Sequence, residues 1–260
     1  MILDTETDIG MQTPLPSALA FSNIALFLDF DGTLVPIASH PDAVTLPPRQ
    51  RHLLSTLQTQ LEGALAVISG RRLDDLEYLT APLPITLLGC HGAQWRDSDG
   101  TRHAARLESE ATVHLSAALA EFSQRHPGTV FEDKTYAFAL HYRQAPQHER
   151  ACRDTMTRLW QAHRDAYQLT EGKCLLELRH HACHKGRAVQ RLLDTPPFRQ
   201  RTPLFIGDDR TDEDAFPVVN AHGGFSVRVG EAAQSQATYR LDSVEEVLSW
   251  LERQTRSMSP

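Results

Sequence analysis

The chain has 260 residues, 41% hydrophobic, 23% charged and 7% aromatic, a globular composition that excludes a disordered, collagen-like or disulfide-dense chain. At this length a fold buries about 70–75% of its unfolded surface, so it needs no metal or disulfide staple, and one large domain or two smaller ones are expected. Twenty-six basic against 33 acidic residues give a net charge of −7 with no basic stripe, which argues against nucleic acid and an anionic membrane surface but not against a small phosphorylated ligand.

The four cysteines, Cys90, Cys152, Cys174 and Cys183, form no CxxC pair and read as reduced thiols of a cytoplasmic protein. No apolar run approaches the length of a membrane span. Residues 1–22 begin acidic, lack a basic and then apolar leader, and read as a loose N-terminal arm. From Asn23 the run NIALFLDFDGTL predicts a buried parallel strand that ends in acids and glycine. Leu53, Leu54, Leu57 and Leu61 recur at helical spacing behind two prolines, as a core-facing stripe. ALAVISGR predicts a second strand, a short helix is expected near 73–79, and ITLLGCHGA predicts a third strand. This alternation points to an α/β fold with a doubly wound, mostly parallel sheet.

The rhythm then changes. Residues 105–126 and 146–166 predict helices, TVFEDK and YAFALHYR two strands, and CLLELR another. They form an inserted α+β domain over 97–180, with the core supplied by 23–96 and 181–260. In the second core segment HKGRAVQRLLD predicts a helix, TPLFIGDD a strand, TDEDAFPVV a helix start, GFSVRVG a strand, and 243–253 a closing helix.

Three apolar runs end in polar groups: Asp29-Phe30-Asp31-Gly32-Thr33, Ser69-Gly70-Arg71, and Gly207-Asp208-Asp209 followed by Asp212. Strand C-termini of an open parallel sheet share one edge, where ligands bind. Singly, each acid would serve equally as a turn former or helix cap; three clusters on one edge favour a site. Gathered carboxylates raise one another's pKa, and Mg²⁺ with a phosphate oxygen is the usual resolution. A carboxylate can also attack phosphorus, a second can move the proton, and Ser69 and Lys185 can hold phosphate oxygens.

DFDGTL at 29–34, Ser69, Lys185 and GDDRTDED at 207–214, in this order, resemble the four motifs of the haloacid dehalogenase-like phosphohydrolases. GCHGAQ, EDKTYAFALHYR, GKCLLELR and HKG narrow the resemblance to the trehalose-6-phosphate phosphatases. The resemblance implies Mg²⁺-dependent hydrolysis of trehalose 6-phosphate, with Asp29 as nucleophile and Asp31 as acid and then base. It further implies that Asp29, the Asp31 carbonyl and Asp208 hold the metal, that Asp209 and Asp212 orient its waters or Lys185, and that the insertion is a cap. Arg71, His91, Glu132, Lys134, Arg143, Lys173 and Glu177 would contact the substrate. Gln94 departs from the Glu often found there and is not assigned. A functional pairing with the synthase that makes this substrate is a further implication.

His180, His181, Cys183 and His184 are zinc-competent, but adjacent residues rarely share an ion and no second pair matches them. A phosphatase of another sugar phosphate is the nearest alternative function. A receiver-like signalling module conflicts with the chain length and the insertion. A catalytically dead sugar-phosphate sensor would lack Asp29 or Asp31, and both are present.

Overall fold

The computed structural model describes residues 13–16, 19–38, 43–106, 109–172 and 174–257. The chain divides into two compact units, one formed by 1–103 with 184–260 and one by 104–183.

The first unit is built on a nine-stranded sheet, with the 104–183 unit's first residue closing its last strand. Its strands are β1 (Thr13–Pro14), β2 (Ile24–Leu28), β3 (Leu65–Ile68), β4 (Thr86–Gly89), β5 (Gln94–Arg96), β6 (Arg102–Ala104), β11 (Thr202–Gly207), β12 (Phe225–Val229) and β13 (Tyr239–Leu241). They run in the order β1-β13-β12-β11-β2-β3-β4-β5-β6. Pairing is parallel from β1 to β4, and β5 adds antiparallel to β4. β2, β3 and β4 are buried at every residue, as strands covered on both faces must be.

The chain winds from β2 outward through α1 (Pro48–Gln60), β3 and α2 (Leu73–Thr80) to β4. It returns at β11, beside β2, and winds the other way through α6 (Phe216–Ala221) to β12. Right-handed crossovers in opposite directions place α1 and α6 on opposite faces of the sheet. The topological switch therefore falls between β2 and β11, where open α/β sheets bind ligands. The leucine stripe of α1 packs into the core, and α7 (Val244–Ser257) closes the unit with Val247, Leu248, Trp250 and Leu251.

The described part of the segment read as a loose arm is built into this unit. β1 pairs with β13, and Phe21 meets Trp250 edge to face at 5.9 Å. β5, β6 and β13 have three residues each, too few for an alternation to register, which is why the sequence reading passes over them.

The second unit is a four-stranded antiparallel sheet in the order β7-β8-β10-β9: β7 (Val130–Asp133), β8 (Ala137–His141), β10 (Leu175–His180) and β9 (Tyr167–Gly172). β9 is the strand of this unit that the sequence reading misses. α3 (Ser109–Arg125) and α4 (Glu149–His163) bury Leu115, Leu119, Cys152, Met156 and Leu159 with Phe138, Leu140, Leu176 and Leu178 of one sheet face. The strand period of two sends the alternate residues to the opposite face. The fold is thus a doubly wound α/β core with an α+β insertion. Among the described residues, no helix is long and apolar enough to cross a membrane.

Candidate active site

Asp29 follows β2 directly and is 4% exposed. Its backbone N–H donates to the Ile206 carbonyl of β11 (2.9 Å), so the neighbouring strand fixes its position. Asp208 follows β11, and a turn over Arg210–Asp214 carries Asp212 back beneath it. A capping box ties that turn: the Asp209 N–H donates to the Asp212 carboxylate at 2.8 Å, and the Asp209 side chain accepts in return. Ligating oxygens of Asp29, Asp208 and Asp212 all lie within 4.8 Å of one another, the single convergent group of three or more metal-competent side chains among the described residues.

One cation faces these acids from α5 (Lys185–Leu193). Lys185 sits one turn ahead of the buried Ala188 and Val189, so the helical stripe itself carries its ammonium inward to 1% exposure. Lys185 Nζ donates to Asp29 Oδ1 and to Asp212 Oδ1, each at 2.6 Å. Gly186 permits this approach, since a methyl group there would overlap the Asp214 carbonyl.

Three carboxylates against one ammonium leave the pocket short of positive charge. Burial pushes the Asp29 carboxyl well up from its ordinary value; Lys185 pulls the other way and Asp212 adds to the rise. Burial likewise raises Asp208, with Asp212 contributing, and raises Asp212 against the opposing pull of Lys185. Burial disfavours the Lys185 charge, yet Asp212 and Asp29 outweigh it and hold its pKa above that of an ordinary lysine. A set of convergent, charge-deficient carboxylate oxygens suits a hard divalent cation.

Gly32 has φ +83°, and a methyl group on it would overlap the Asp208 carboxylate. Only glycine fits that combination of left-handed backbone and close approach. Thr33 Oγ1 donates to Asp208 Oδ1 at 3.4 Å, a positioning contact that the sequence reading omits although the residue lies inside its motif.

Asp31 is held by a cation. Arg71 Nε donates to its Oδ2 at 2.6 Å and Arg71 Nη2 to its Oδ1 at 2.7 Å, a bidentate pair. Ser69, 2% exposed at the end of β3, accepts the Arg71 N–H on its Oγ at 3.2 Å. His91 belongs to the same neighbourhood. Its N–H donates to the Ser69 carbonyl (2.8 Å), the Cys90 N–H donates to the Arg71 carbonyl (2.7 Å), and its ring packs over Gly70. Cys90 and His91 hold φ of +49° and +54°, left-handed values that cost non-glycine residues energy and cluster at functional sites. Gln94, in β5, accepts from Cys90 Sγ at 3.7 Å.

In the second unit Glu132, Ala139 and Glu177 share one register row across β7, β8 and β10, so both glutamates point to the face away from the helices. Lys134 Nζ reaches both, at 3.2 Å from Glu177 and 3.5 Å from Glu132. Burial works against the Lys134 charge, but Glu177 and Glu132 outweigh it and raise its pKa. His141, which the sequence reading does not single out, contacts Glu132 at 3.1 Å from the same face. Arg143 is exposed two residues beyond β8, and Lys173 lies outside the described residues. The zinc-competent residues engage local backbone: His180 accepts from the Ala182 N–H, His181 contacts the Arg164 carbonyl, Cys183 the Tyr136 carbonyl, and His184 accepts from the Arg187 N–H.

The family model described as trehalose-phosphatase matches residues 27–245, from β2 into α7. The chain belongs to the trehalose-phosphatase family. It is 43% identical over 237 residues to the trehalose-6-phosphate phosphatase of Escherichia coli (strain K12), covering 90% of this chain and 87% of that relative. It is 42% identical over 210 residues to the probable trehalose-phosphate phosphatase of Sinorhizobium fredii, covering 80% and 78%. The solved trehalose-6-phosphate phosphatase of Aspergillus fumigatus superposes with a TM-score of 0.71 at 26% identity, over 94% of this chain and 99% of that one. Membership of this family makes the chain a phosphatase, a hydrolase of phosphoric monoesters.

Proposed function

We propose that the enzyme hydrolyses trehalose 6-phosphate to trehalose and phosphate, using Mg²⁺ and a phosphoenzyme intermediate on Asp29. The observation that carries this reading is the convergence of Asp29, Asp208 and Asp212 on Lys185 at the sheet's switch point. Asp29, Asp208 and the Asp31 carbonyl would hold the cation, with Asp212 beside them. When bound, it supplies positive charge for the transferring phosphoryl group.

The Asp29 carboxylate attacks phosphorus in line, and the bond from phosphorus to the 6-oxygen breaks. Asp31 donates a proton to the departing oxygen, leaving an acyl phosphate on Asp29. Asp31 then takes a proton from water, whose oxygen attacks phosphorus, releasing phosphate and restoring Asp29. Arg71 accepts no proton and uses one lone pair of each Asp31 oxygen, so it aims the carboxyl while the remaining lone pairs serve the proton transfers. Ser69 and Lys185 hold the phosphoryl oxygens, and Asp209 and Asp212 orient the groups around them.

The insertion acts as a cap that selects the sugar. Glu132, Lys134 and Glu177, with Arg143, Lys173, His91 and Arg71, bind its hydroxyls, since a mixed set of acids and cations suits groups that both donate and accept. The cytoplasm is the proposed compartment, supported by four cysteines that form no disulfide. Functional pairing with the synthase that supplies the substrate belongs to the same reading.

The test is phosphate release over a panel of sugar phosphates, with and without EDTA, on the wild type and Asp29→Asn. Trehalose 6-phosphate should lead the panel, EDTA should abolish turnover and added Mg²⁺ restore it. Asp29→Asn should be folded and inactive. Turnover near wild type in Asp29→Asn would remove the nucleophile assignment, and another preferred sugar phosphate would remove the substrate assignment.

A further inference from the structure

On the helical side of the second unit two histidines meet across α3 and α4. His114 Nδ1 lies 2.9 Å from His163 Nε2, with ring centroids 5.1 Å apart and planes inclined by 58°. The contact is solvent-accessible, with His114 exposed and His163 partly so. Neither residue belongs to the active site or to the hydrophobic layer beneath the helices.

We propose that His114 and His163 form a chelating site for a divalent transition metal ion. Two metal–imidazole bonds of about 2.05 Å at right angles hold their nitrogens about 2.9 Å apart. The observed separation is that of a hydrogen bond between the rings, so a small rotation brings both nitrogens onto one ion, at that bite or at the about 3.3 Å of a tetrahedral angle. Imidazole is a preferred donor for Ni²⁺, Cu²⁺ and Zn²⁺. Water completes the shell.

In the free protein one facing nitrogen donates a hydrogen bond to the other. Binding breaks that hydrogen bond: the proton moves through solvent to the remote nitrogen of its own ring, and both rings turn to aim a lone pair at the ion. Bound metal would bridge the first turns of α3 and the last turn of α4.

A second histidine pair, one residue beyond α3 and one residue before α4, supplies a control. His126 and His148 meet edge-on, with centroids 5.0 Å apart. His126 Nδ1 contacts the Phe122 carbonyl at 2.9 Å and its ring stacks on Phe122. That nitrogen is committed to the backbone, and the pair lacks facing nitrogens.

The experiment is a Ni²⁺ titration of the full, untagged chain in excess Mg²⁺, which occupies the carboxylate cluster. Heat, melting temperature and imidazole nuclear-magnetic-resonance signals are followed together. The expected result is one Ni²⁺ bound per chain, selective broadening of the His114 and His163 ring signals, and a rise in melting temperature. His114→Ala and His163→Ala should each weaken binding tenfold or more and abolish the rise, and His126→Ala should match wild type. Both histidines lie on the surface, so melting of the metal-free variants will report intact folding. Binding that survives both substitutions, that disappears only in Asp208→Asn, or that is absent from wild type would overturn the proposal.

Discussion

Lys185→Met is the most informative single change, because it removes the ammonium that separates Asp29 from Asp212 while keeping an unbranched side chain only one atom shorter. At an effective dielectric of about 20, each 2.6 Å contact from Nζ attracts by about 6 kcal/mol before desolvation is counted. Desolvation offsets several kcal/mol per buried ion, so the expected net loss is the about 3–5 kcal/mol typical of a broken buried pair. In a core unit of about 180 residues that loss lowers the melting temperature by about 8–13 °C. The assay is thermal melting in EDTA, where no cation can substitute for the lysine. The pH dependence has a definite sign. Asp29, Asp208 and Asp212 are already raised, and the variant raises them further, so its folded state binds more protons than the unfolded chain. The variant's deficit against wild type should therefore shrink from pH 8 to pH 5 and widen as pH rises through the raised values. Adding Asp212→Asn to Lys185→Met should recover more than 1 kcal/mol of stability, a coupling expected of groups in direct contact. A variant melting within 2 °C of wild type, or a deficit indifferent to both pH and Asp212→Asn, would refute the argument.

Arg71→Ala should lower kcat/KM for trehalose 6-phosphate by about 10–10²-fold and that for p-nitrophenyl phosphate by less, because a good leaving group needs less help from an aimed acid; equal losses would separate Arg71 from the proton step. Glu177→Ala or Lys134→Ala should cost about 10²-fold or more on the disaccharide phosphate and only a few-fold on the aryl ester, with melting followed to exclude loss of fold; equal losses on both substrates would remove them from sugar recognition. Gly32→Ala should lower stability by about 1–3 kcal/mol and turnover by more than tenfold, measured by melting and phosphate release, since it strains the backbone and displaces Asp208.

The sequence by itself determined the chemistry-bearing groups. Strong hydrophobic runs ending in Asp29, Ser69 and Asp208 give the strand-end clusters, because a strand buried on both faces must be continuously apolar and must stop where charge begins. The stripe of α5 likewise fixes Lys185 on a buried face before any tertiary contact is known. The three-residue β5 and β13, and β9 with its largely polar run YQLTEG, left little trace, since their residues take their conformation from the strands beside them rather than from their own pattern. Only the tertiary structure decided the strand order that sets β2 against β11 and so brings Asp29 to Asp208. It also decided that Asp212 turns back into the acid cluster and that Arg71 closes on Asp31 across 40 residues of chain. Such contacts depend on where separate chain segments meet, and local propensity and periodicity carry no information about that meeting.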